Sequence, residues 1–345
     1  HGTRIEALRP AEAGAEVTTG KSLTLLVDRT AGNIAYADTT SVEALKPGEA
    51  GANVTEVVAG SGRGTWWEQT HLRRAVRSDP PDVFFAGAYT APLALGVPLA
   101  VTIHDVSFAA HPEWFRPREG ARRRLLTRQA ARAAEVVFTD SQFSRAEIME
   151  RLAVPAERIR VIPPGVTRRA PGPSPREPLV LFAGSIFNRR RLPATITAFA
   201  AATATRPETR LVIAGADRSY PALDLAGLAA EAGVGRRVEI TSYATEADLD
   251  SLYARASVFV FLSEYEGFGL TPLEALSAGV PIVVLDTPVA REIYGEAAWY
   301  IPRESDVRGA TAAIRTLLED PATRARLLEH APAVLARYSW DAAAA

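Results

Sequence analysis

The chain has 345 residues, which predicts two domains, and its hydrophobic fraction of 47% is sufficient for two sizeable cores. The net charge of −1 excludes the broad positive field typical of nucleic-acid-binding proteins, so we expect no nucleic-acid partner. The chain contains no cysteine, which excludes disulfides and thiolate metal sites and fits a reducing compartment. No run of about 18 apolar residues indicates a membrane span, and the first residues lack an apolar signal-peptide core, so we expect a cytoplasmic protein.

The first 60 residues have a pattern unlike that of the remainder. Residues 6–18 and 43–55 match at ten of thirteen positions, with an offset of 37 residues. Between the two copies, residues 22–28 (SLTLLVD) and 33–39 (NIAYADT) are predicted to form strands. We therefore predict an atypical β-rich segment over residues 1–60, which belongs to the first domain or replaces its start.

A glycine-rich stretch, VAGSGRGT, occupies residues 58–65. Its glycines are spaced G-x-G-x-G, whereas the dinucleotide-binding turn requires G-x-G-x-x-G. The spacing therefore favours a plain loop before a helix at about residues 65–78 over a dinucleotide site.

Strands and helices alternate from residue 61 to residue 165, which predicts a Rossmann-like domain with a parallel sheet. His104 follows one predicted strand at its carboxyl end, where such sheets bind their ligands. On position alone, His104 is either a structural residue or a site residue. The predicted strands of this domain are in the segments 82–87 (DVFFAG), 98–108 (PLAVTIHDVSF, where the strand runs into His104 and Asp105), 136–141 (VVFTDS) and 158–166 (RIRVIPPGV).

A basic helix is predicted from Arg116 to Arg132. Residues 111–135 contain seven arginines and three glutamates. Two interpretations stay open: a solvated helix face, or contact with an anionic membrane or a pyrophosphate-linked lipid acceptor.

A proline-rich stretch separates the two domains. Residues 163–178 contain six prolines and two glycines, which predicts a stiff, extended linker over residues 166–177. A second Rossmann-like domain is predicted over residues 178–325, followed by a C-terminal helix over residues 326–345. Its strands are predicted in PLVLFAG, RLVIAG, VEITSY, VFVFLS and IVVLD, and late helices at 307–319 and 322–337.

Arginines cluster in the first strand-to-helix loop of the second domain. Arg189, Arg190 and Arg191 follow the strand PLVLFAG. Three guanidinium groups at this position could bind a diphosphate through paired hydrogen bonds, or they could form a surface charge cluster.

Residues 258–286 combine a buried strand, a glycine-containing loop, a helix and a second strand. The residues from Thr271 to Glu274 predict a helix start with a capping box. The preceding glycines allow a ligand to approach the helix N-terminus, whose unpaired N–H groups favour phosphate. Glu266 and Glu274 either accept hydrogen bonds from sugar hydroxyls, or are a solvated loop charge and a capping residue.

The stretch SEYEGFGLTPLEALSAGVPIVV, residues 263–284, resembles the donor site of retaining glycosyltransferases of the GT-B fold, the family 4-like, group 1 enzymes. The segments around TIHDVSF, TDSQFSRAEI and VIPPGV are similar to that family as well. The resemblance implies an α/β chain with two Rossmann-like domains facing a cleft. It also implies that the C-terminal helix crosses back to the first domain.

The resemblance also assigns roles to residues. Glu274 would hold the ribose of a nucleotide sugar, Glu266 would face the transferred sugar, and His104 would lie near that sugar in the cleft. Arg189 and Arg190 would clamp the diphosphate, with Arg190 standing where the family usually has lysine. The implied catalytic residues are His104, Glu266, Arg189 and Arg190; the implied donor-binding residues are Gly184, Arg189, Arg190, Tyr243, Gly267, Phe268, Gly269, Leu270, Thr271 and Glu274.

The function so implied is the retaining transfer of a hexose from a GDP- or UDP-sugar to a glycan or lipid-linked acceptor. Such a bacterial enzyme of polysaccharide or glycoconjugate synthesis would work in the cytoplasm, peripheral at the inner face of the membrane through Arg116–Arg132. We expect no metal and no cofactor besides the donor substrate. The alternative is a non-catalytic nucleotide-sugar-binding scaffold or partner subunit, and the pattern does not specify an oligomeric state.

Overall fold

The computed structural model describes residues 64–172 and 176–344, together with the backbone of three strands that precede them. The described residues form two compact units. The first unit comprises the residues up to Ala110 with Pro117–Asp140 and Ser144–Val161. The second unit comprises His111–Arg116, Ser141–Phe143 and the residues from Ile162 onward.

The first unit is a single sheet with helices. Its strands are β1 (Ile5–Leu8), β2 (Ser22–Val27), β3 (Asn53–Val58), β4 (Val83–Ala86), β5 (Leu99–Thr102), β6 (Val136–Thr139) and β7 (Ile159–Val161). Its helices are α1 (Gly64–Trp67), a π-helical turn at Glu68–Leu72, α2 (Arg73–Ser78), α3 (Ser107–Ala110), α4 (Pro117–Ala133) and most of α5 (Gln142–Leu152), with a 3-10 turn at Ala156–Arg158.

The strand order of this sheet is β3-β2-β1-β4-β5-β6-β7. Strands β4 to β7 are parallel, which confirms the parallel sheet predicted for this part of the chain. Strand β1 is antiparallel to both of its neighbours, β2 and β4, whereas β2 and β3 are parallel. The described N-terminal segments are thus strands, and the predicted strand at 22–28 is confirmed as β2.

Several predictions for the N-terminal part fall outside the described residues. They are the strand at 33–39, most of both repeat copies and the glycines at 60 and 62 of the stretch 58–65. The helix predicted after that stretch is confirmed over residues 64–78.

The second unit contains a six-stranded sheet. Its strands are β8 (Leu179–Ala183), β9 (Arg210–Ala214), β10 (Val238–Thr241), β11 (Val258–Phe261), β12 (Ile282–Leu285) and β13 (Ala298–Ile301). Its helices are α6 (Leu192–Ala202), α7 (Leu225–Glu231), α8 (Glu246–Arg255), α9 (Leu270–Ser277), α10 (Pro288–Tyr294), α11 (Asp306–Glu319), α12 (Pro321–Leu328), α13 (Ala331–Leu335) and α14 (Trp340–Ala344), with 3-10 turns at Pro112–Trp114, Asn188–Arg190, Gly235–Arg237 and Arg303–Ser305.

All neighbouring strands of this sheet are parallel, in the order β10-β9-β8-β11-β12-β13. The chain order therefore reverses direction between β8 and β11. At such a switch point the loops after the two central strands diverge, leaving a crevice at the carboxyl ends of the strands. Arg189, Arg190 and Glu266 lie in these two loops, and Glu274 lies in the helix that follows the second loop.

The core of the second unit explains why its central strands are apolar throughout. Every residue of β8, β11 and β12 is buried, because a parallel sheet is covered by helices on both faces. The helix predicted at 322–337 is instead two helices, α12 and α13. Pro332 accounts for the break, since proline lacks the N–H that a continuous helix would use.

Candidate donor site

The loop from Ser263 to Gly269 connects β11 to the N-terminus of α9. Gly269 adopts φ 96°, a left-handed conformation that glycine tolerates, and it stands at the N-cap of the helix. A Cβ at this position would overlap the hydroxyl of Tyr294, and that hydroxyl donates a 2.9 Å hydrogen bond to the Gly269 carbonyl. The first amides of α9 therefore stand at the switch point, as the sequence predicts.

The predicted capping box at Thr271 is wrong. Helix α9 already begins at Leu270, so Thr271 and Pro272 lie within its first turn, and no side chain caps the helix. The left-handed conformation of Gly269 starts the helix in place of the predicted side-chain cap. The Glu274 carboxylate points instead to the hydroxyl of Tyr253.

Glu266 lies between the two predicted diphosphate arginines. Its Oε1 accepts hydrogen bonds from Arg190 Nε at 2.8 Å and from Ser263 Oγ at 2.8 Å, and its Oε2 lies 3.6 Å from Arg189 Nη2. Burial by itself would raise the pKa of Glu266, but the charges of Arg190 and Arg189 and these hydrogen bonds lower the pKa to about 2. Glu266 is therefore a fully ionised carboxylate in an otherwise enclosed position.

Hydrogen bonds that involve main-chain atoms also join the loop after β8 to the loop after β11. Glu264 N donates to the Arg189 carbonyl at 2.9 Å, and Arg189 Nε donates to the Tyr265 carbonyl at 3.0 Å. Both arginine side chains lie over the ring of Phe187, at 4.2 Å and 5.6 Å from its centroid. The structure thus brings Arg189, Arg190 and Glu266 together in one rigid cluster.

Gly184 at the end of β8 makes room for this cluster. Its φ of 133° favours glycine, and an added Cβ would lie 2.6 Å from Arg190 Nη1. The same nitrogen donates a 2.8 Å hydrogen bond to the Ser185 carbonyl. The absence of a side chain at 184 therefore allows the Arg190 guanidinium to lie across the strand end.

The third arginine of the predicted cluster has a different role. Arg191 adopts the left-handed conformation with φ 49°, and its guanidinium pairs with Glu264 and Asp306. Glu264 also forms an ion pair with Arg303, whose Nη2 lies 2.8 Å from Glu264 Oε2. Arg191 therefore lies outside the cluster of Arg189, Arg190 and Glu266, because the backbone turn at Arg191 directs its side chain into this separate ion-pair network. Diphosphate binding by Arg189 and Arg190 stays a prediction.

Glu274 is held by residues that the sequence did not single out. Tyr253 donates a 3.0 Å hydrogen bond to Glu274 Oε2, and Arg169 Nη2 lies 3.5 Å from the same oxygen. Burial raises the pKa of Glu274, while the charge of Arg169 and the bond from Tyr253 oppose that shift. The spacing of Glu246, Asp250 and Tyr253 at i, i+4 and i+7 was the available signal, since it places all three on one face of α8.

The remaining predicted donor residues also lie in the second unit. Phe268 is buried and packs edge-to-face on Tyr338, with ring centroids 5.1 Å apart. Tyr243 lies two residues beyond the end of β10 and is 78% exposed, so its ring is accessible to a ligand.

His104 lies in the first unit, after β5. Its Nδ1 lies 2.9 Å and 3.2 Å from the two carboxylate oxygens of Asp140, the residue that directly follows the neighbouring strand β6. Burial disfavours the imidazolium, but the hydrogen bond and charge of Asp140, the charge of Asp105 and the Gly87 carbonyl raise the pKa of His104. Sequence reasoning missed Asp140, although the rule that adjacent parallel strands end at one edge could have identified it.

Among the described residues, no group of three or more histidine, cysteine, aspartate or glutamate side chains has the geometry of a metal site. Within the same residues no helix has the length and hydropathy needed to cross a bilayer.

Comparison with known proteins places this architecture in a defined class. The chain covers 86% of the Anabaena protein HepE, solved with UDP and glucose, with 89% of its own residues aligned, a TM-score of 0.66 and 19% identity. The chain therefore has the GT-B fold, in which each of two α/β units is built on a sheet that contains parallel strands.

Sequence comparison identifies the family. Residues 166–334 match the model of the glycosyl transferases group 1, and residues 28–169 match that of Glycosyltransferase Family 4. The chain is therefore a member of the group 1 glycosyltransferases with the GT-B fold.

Two curated relatives are similar over most of the chain. The O-antigen chain mannosyltransferase B of Escherichia coli is 28% identical over 256 residues, which are 70% of this chain and 66% of the relative. The GDP-mannose:cellobiosyl-diphosphopolyprenol alpha-mannosyltransferase of Xanthomonas campestris is 29% identical over 258 residues, which are 73% of this chain and 67% of the relative. The matched region thus spans about two thirds of the length of either relative, and slightly less for the first.

Proposed function

We propose that this chain is a retaining hexosyltransferase that uses a nucleoside diphosphate sugar as its donor. The observation that carries the proposal is the cluster of Arg189, Arg190 and Glu266 beside the N-terminus of α9. Two guanidinium groups and a helix N-terminus at one switch point suit a diphosphate. The family membership supports sugar transfer as the reaction.

The proposed chemistry is electrostatic. The bond from the sugar C1 to the β-phosphate oxygen breaks, and negative charge develops on the departing diphosphate. Arg189, Arg190 and the amides at the start of α9 would stabilise that charge without reorganising. The acceptor oxygen would form its bond to C1 on the same face, and its proton would pass to the departing phosphate.

Glu266 suits sugar binding better than nucleophilic attack. Its oxygens already receive Arg190, Ser263 and Arg189, and these groups hold its pKa at about 2, so the carboxylate is a weak base. We therefore assign it to hydrogen bonding with a sugar hydroxyl, and we assign Glu274 to the ribose hydroxyls. Tyr243 would meet the nucleobase, and His104 would serve the sugar side of the reaction.

GDP- and UDP-hexoses are the donors to test, and a glycan or a lipid-linked sugar is the acceptor class. The name of the Xanthomonas relative contains GDP-mannose and a diphosphopolyprenol acceptor, and HepE was solved with UDP. The two arginines supply positive charge at the diphosphate, which supports a metal-independent reaction. Peripheral membrane contact through Arg116–Arg132 stays a prediction. Leu125 of α4 is 58% exposed and would be available for such a contact.

The test is hexose transfer from a panel of GDP- and UDP-hexoses, measured for the wild type, Glu274→Ala and Arg189→Ala. We expect kcat/KM to fall by about a hundredfold or more in each variant, as for removal of other preorganised charge-stabilising groups. Arg236→Ala, an exposed arginine in the turn Gly235–Arg237, is the matched control and should retain wild-type activity.

Three outcomes would contradict parts of the proposal. Unchanged activity in both variants would show that the proposed site is wrong. An inverted anomeric configuration in the product, determined by NMR, would show that the enzyme does not retain the configuration. Nucleotide binding without turnover over the whole acceptor panel would favour the alternative, a non-catalytic nucleotide-sugar-binding scaffold.

A further inference from the structure

Arg169 reaches the proposed ribose-binding glutamate from the proline-rich stretch that precedes β8. Its side chain is 5% exposed. Its guanidinium lies 2.9 Å from Glu246 Oε2, 2.7 Å from Asp250 Oδ1 and 3.5 Å from Glu274 Oε2. One guanidinium therefore joins the first two turns of α8 to the carboxylate of α9.

The backbone of Arg169 is anchored at the same place. Its N–H donates a 2.9 Å hydrogen bond to Ser277 Oγ, and that hydroxyl donates at 2.8 Å to the Glu274 carbonyl. Both ends of Arg169 therefore contact the same turn of α9, so the distance from the guanidinium to Glu274 is fixed by the backbone.

Tyr253 completes the arrangement from α8. It is fully buried, its hydroxyl donates to Glu274 Oε2 at 3.0 Å, and its ring lies 5.4 Å from the Arg169 guanidinium carbon. Arg169 and Tyr253 thus approach the same oxygen of the carboxylate. Among the described residues, these contacts leave Oε1 of Glu274 for a ligand, and the Glu274 side chain is 17% exposed.

The arrangement is not one that packing alone requires. Arg169 Nε is buried without a hydrogen-bond partner in the described part of the chain. An unsatisfied buried donor is unfavourable, and an apolar side chain at this position would not leave one. Buried polar atoms without a hydrogen-bond partner occur most often at functional sites.

We propose that Arg169 and Tyr253 are positioning residues that hold the Glu274 carboxylate through Oε2, so that Oε1 is directed at the ribose hydroxyls of the donor. This inference rests on the proposed function, in which Glu274 holds the ribose. It adds that the ribose contact depends on a residue of the linker and on a residue of the neighbouring helix. Without them, burial would favour a neutral carboxyl group that binds ribose less tightly.

The test compares nucleoside diphosphates with and without ribose hydroxyls. Dissociation constants for UDP, GDP and the 2′,3′-dideoxy analogue of each are measured by calorimetry for the wild type, Glu274→Gln, Tyr253→Phe and Arg169→Met. Tyr253→Phe removes only a hydroxyl, so it keeps the ring packing and remains informative where Arg169→Met folds poorly. Arg169→Lys retains the charge and should recover part of the loss.

We expect Tyr253→Phe and Arg169→Met to weaken binding of the better-bound ribonucleotide about tenfold, the value of a hydrogen bond to a charged group. Binding of the dideoxy compound should change less than twofold in the same variants. Because Glu274 then protonates more readily, the acidic limit of ribonucleotide binding should move to higher pH. A purely structural role would weaken both ligands equally and leave the pH profile unchanged.

Arg176→Lys is the matched control. Arg176 belongs to the same linker, but it donates to the main-chain carbonyls of Tyr253, Ala254 and Ala256 rather than to Glu274. Its substitution should therefore leave the ratio of the two dissociation constants at the wild-type value.

The outcomes separate the two proposals. If the wild type and Glu274→Gln bind ribo- and dideoxynucleotide with the same ratio, the ribose role of Glu274 is wrong. If Glu274→Gln loses the discrimination while Tyr253→Phe and Arg169→Met keep it, only the positioning inference is overturned.

Discussion

At the scale of single residues, neighbouring charges of opposite sign shift the pKa values of Glu266 and His104 in opposite directions. Glu266 is enclosed by Arg190 and Arg189, so its pKa lies far below the ordinary value. His104 faces Asp140, so its pKa is raised although its burial acts in the other direction. The first group is an anion and the second favours the cation, because in each case the nearest charge outweighs desolvation.

Asp140→Asn should lower the pKa of His104, since burial would then act against a weakened partner. An NMR titration of the imidazole measures this pKa directly. A histidine with a raised pKa stabilises the fold below its unfolded pKa of about 6.5, and this contribution is lost as the pH rises through the folded pKa. The loss of unfolding free energy in Asp140→Asn should therefore be larger near pH 5 than near pH 9.

The exposed Asp79 provides a comparison within the first unit. Asp79→Asn should leave the His104 titration at its wild-type position. A His104 pKa that is equal in the wild type and in Asp140→Asn would show that Asp140 does not control this ring.

At the scale of elements, the start of α9 shows how one backbone conformation determines a site. The helix begins two residues earlier than the predicted cap at Thr271 implied, because Gly269 turns the chain with a positive φ. That turn directs the first amides of α9 to the switch point, and it leaves Glu274 to contact α8 instead of capping its own helix.

Gly269→Ala should disrupt this turn. The new Cβ would be strained by the positive φ and would also overlap the Tyr294 hydroxyl, so we expect about 2–4 kcal/mol of destabilisation and a loss of nucleotide affinity. Urea unfolding and calorimetric titration with GDP or UDP measure the two effects.

Gly233→Ala separates strain from overlap. Gly233 also has a positive φ, 72°, but no atom lies within 4 Å of the added Cβ. This control should cost only about 1 kcal/mol and leave binding unchanged. Equal effects of the two substitutions would mean that the contact with Tyr294 is unimportant.

At the scale of the whole molecule, we expect stability and nucleotide binding to depend on different residues of the second unit. Phe259 lies in the central strand β11 and is fully buried, whereas Tyr243 follows the edge strand β10 and is 78% exposed. The same sheet therefore provides a core in its centre and an accessible ring at its edge.

Phe259→Ala should lower the unfolding free energy by about 3–5 kcal/mol, the usual cost of a cavity of this size. Tyr243→Ala should change it by less than about 0.5 kcal/mol but weaken nucleotide binding, because the exposed ring contributes contact with the base rather than packing. Thermal unfolding and nucleotide titration of both variants measure this contrast. Unaltered nucleotide affinity in Tyr243→Ala would remove its proposed role at the base.

The sequence by itself determined most strands of the second unit and the two loops of the candidate donor site. Continuous apolar runs identified β8, β11 and β12, because strands covered on both faces need no polar side chains. The local motifs around Arg189 and Glu266 identified both loops at the switch point, since each motif is a short segment next to its own strand. The family comparison agrees with the family that these motifs resemble.

Only the tertiary structure decided which of these residues meet. Arg191 has the same chemistry as its neighbours, yet its left-handed backbone directs it to Glu264 and Asp306. Asp140, Arg169 and Tyr253 carry no motif, because their partners are 36, 105 and 21 residues away along the chain. Such contacts follow from strand order and helix packing, which a local pattern of residues does not encode.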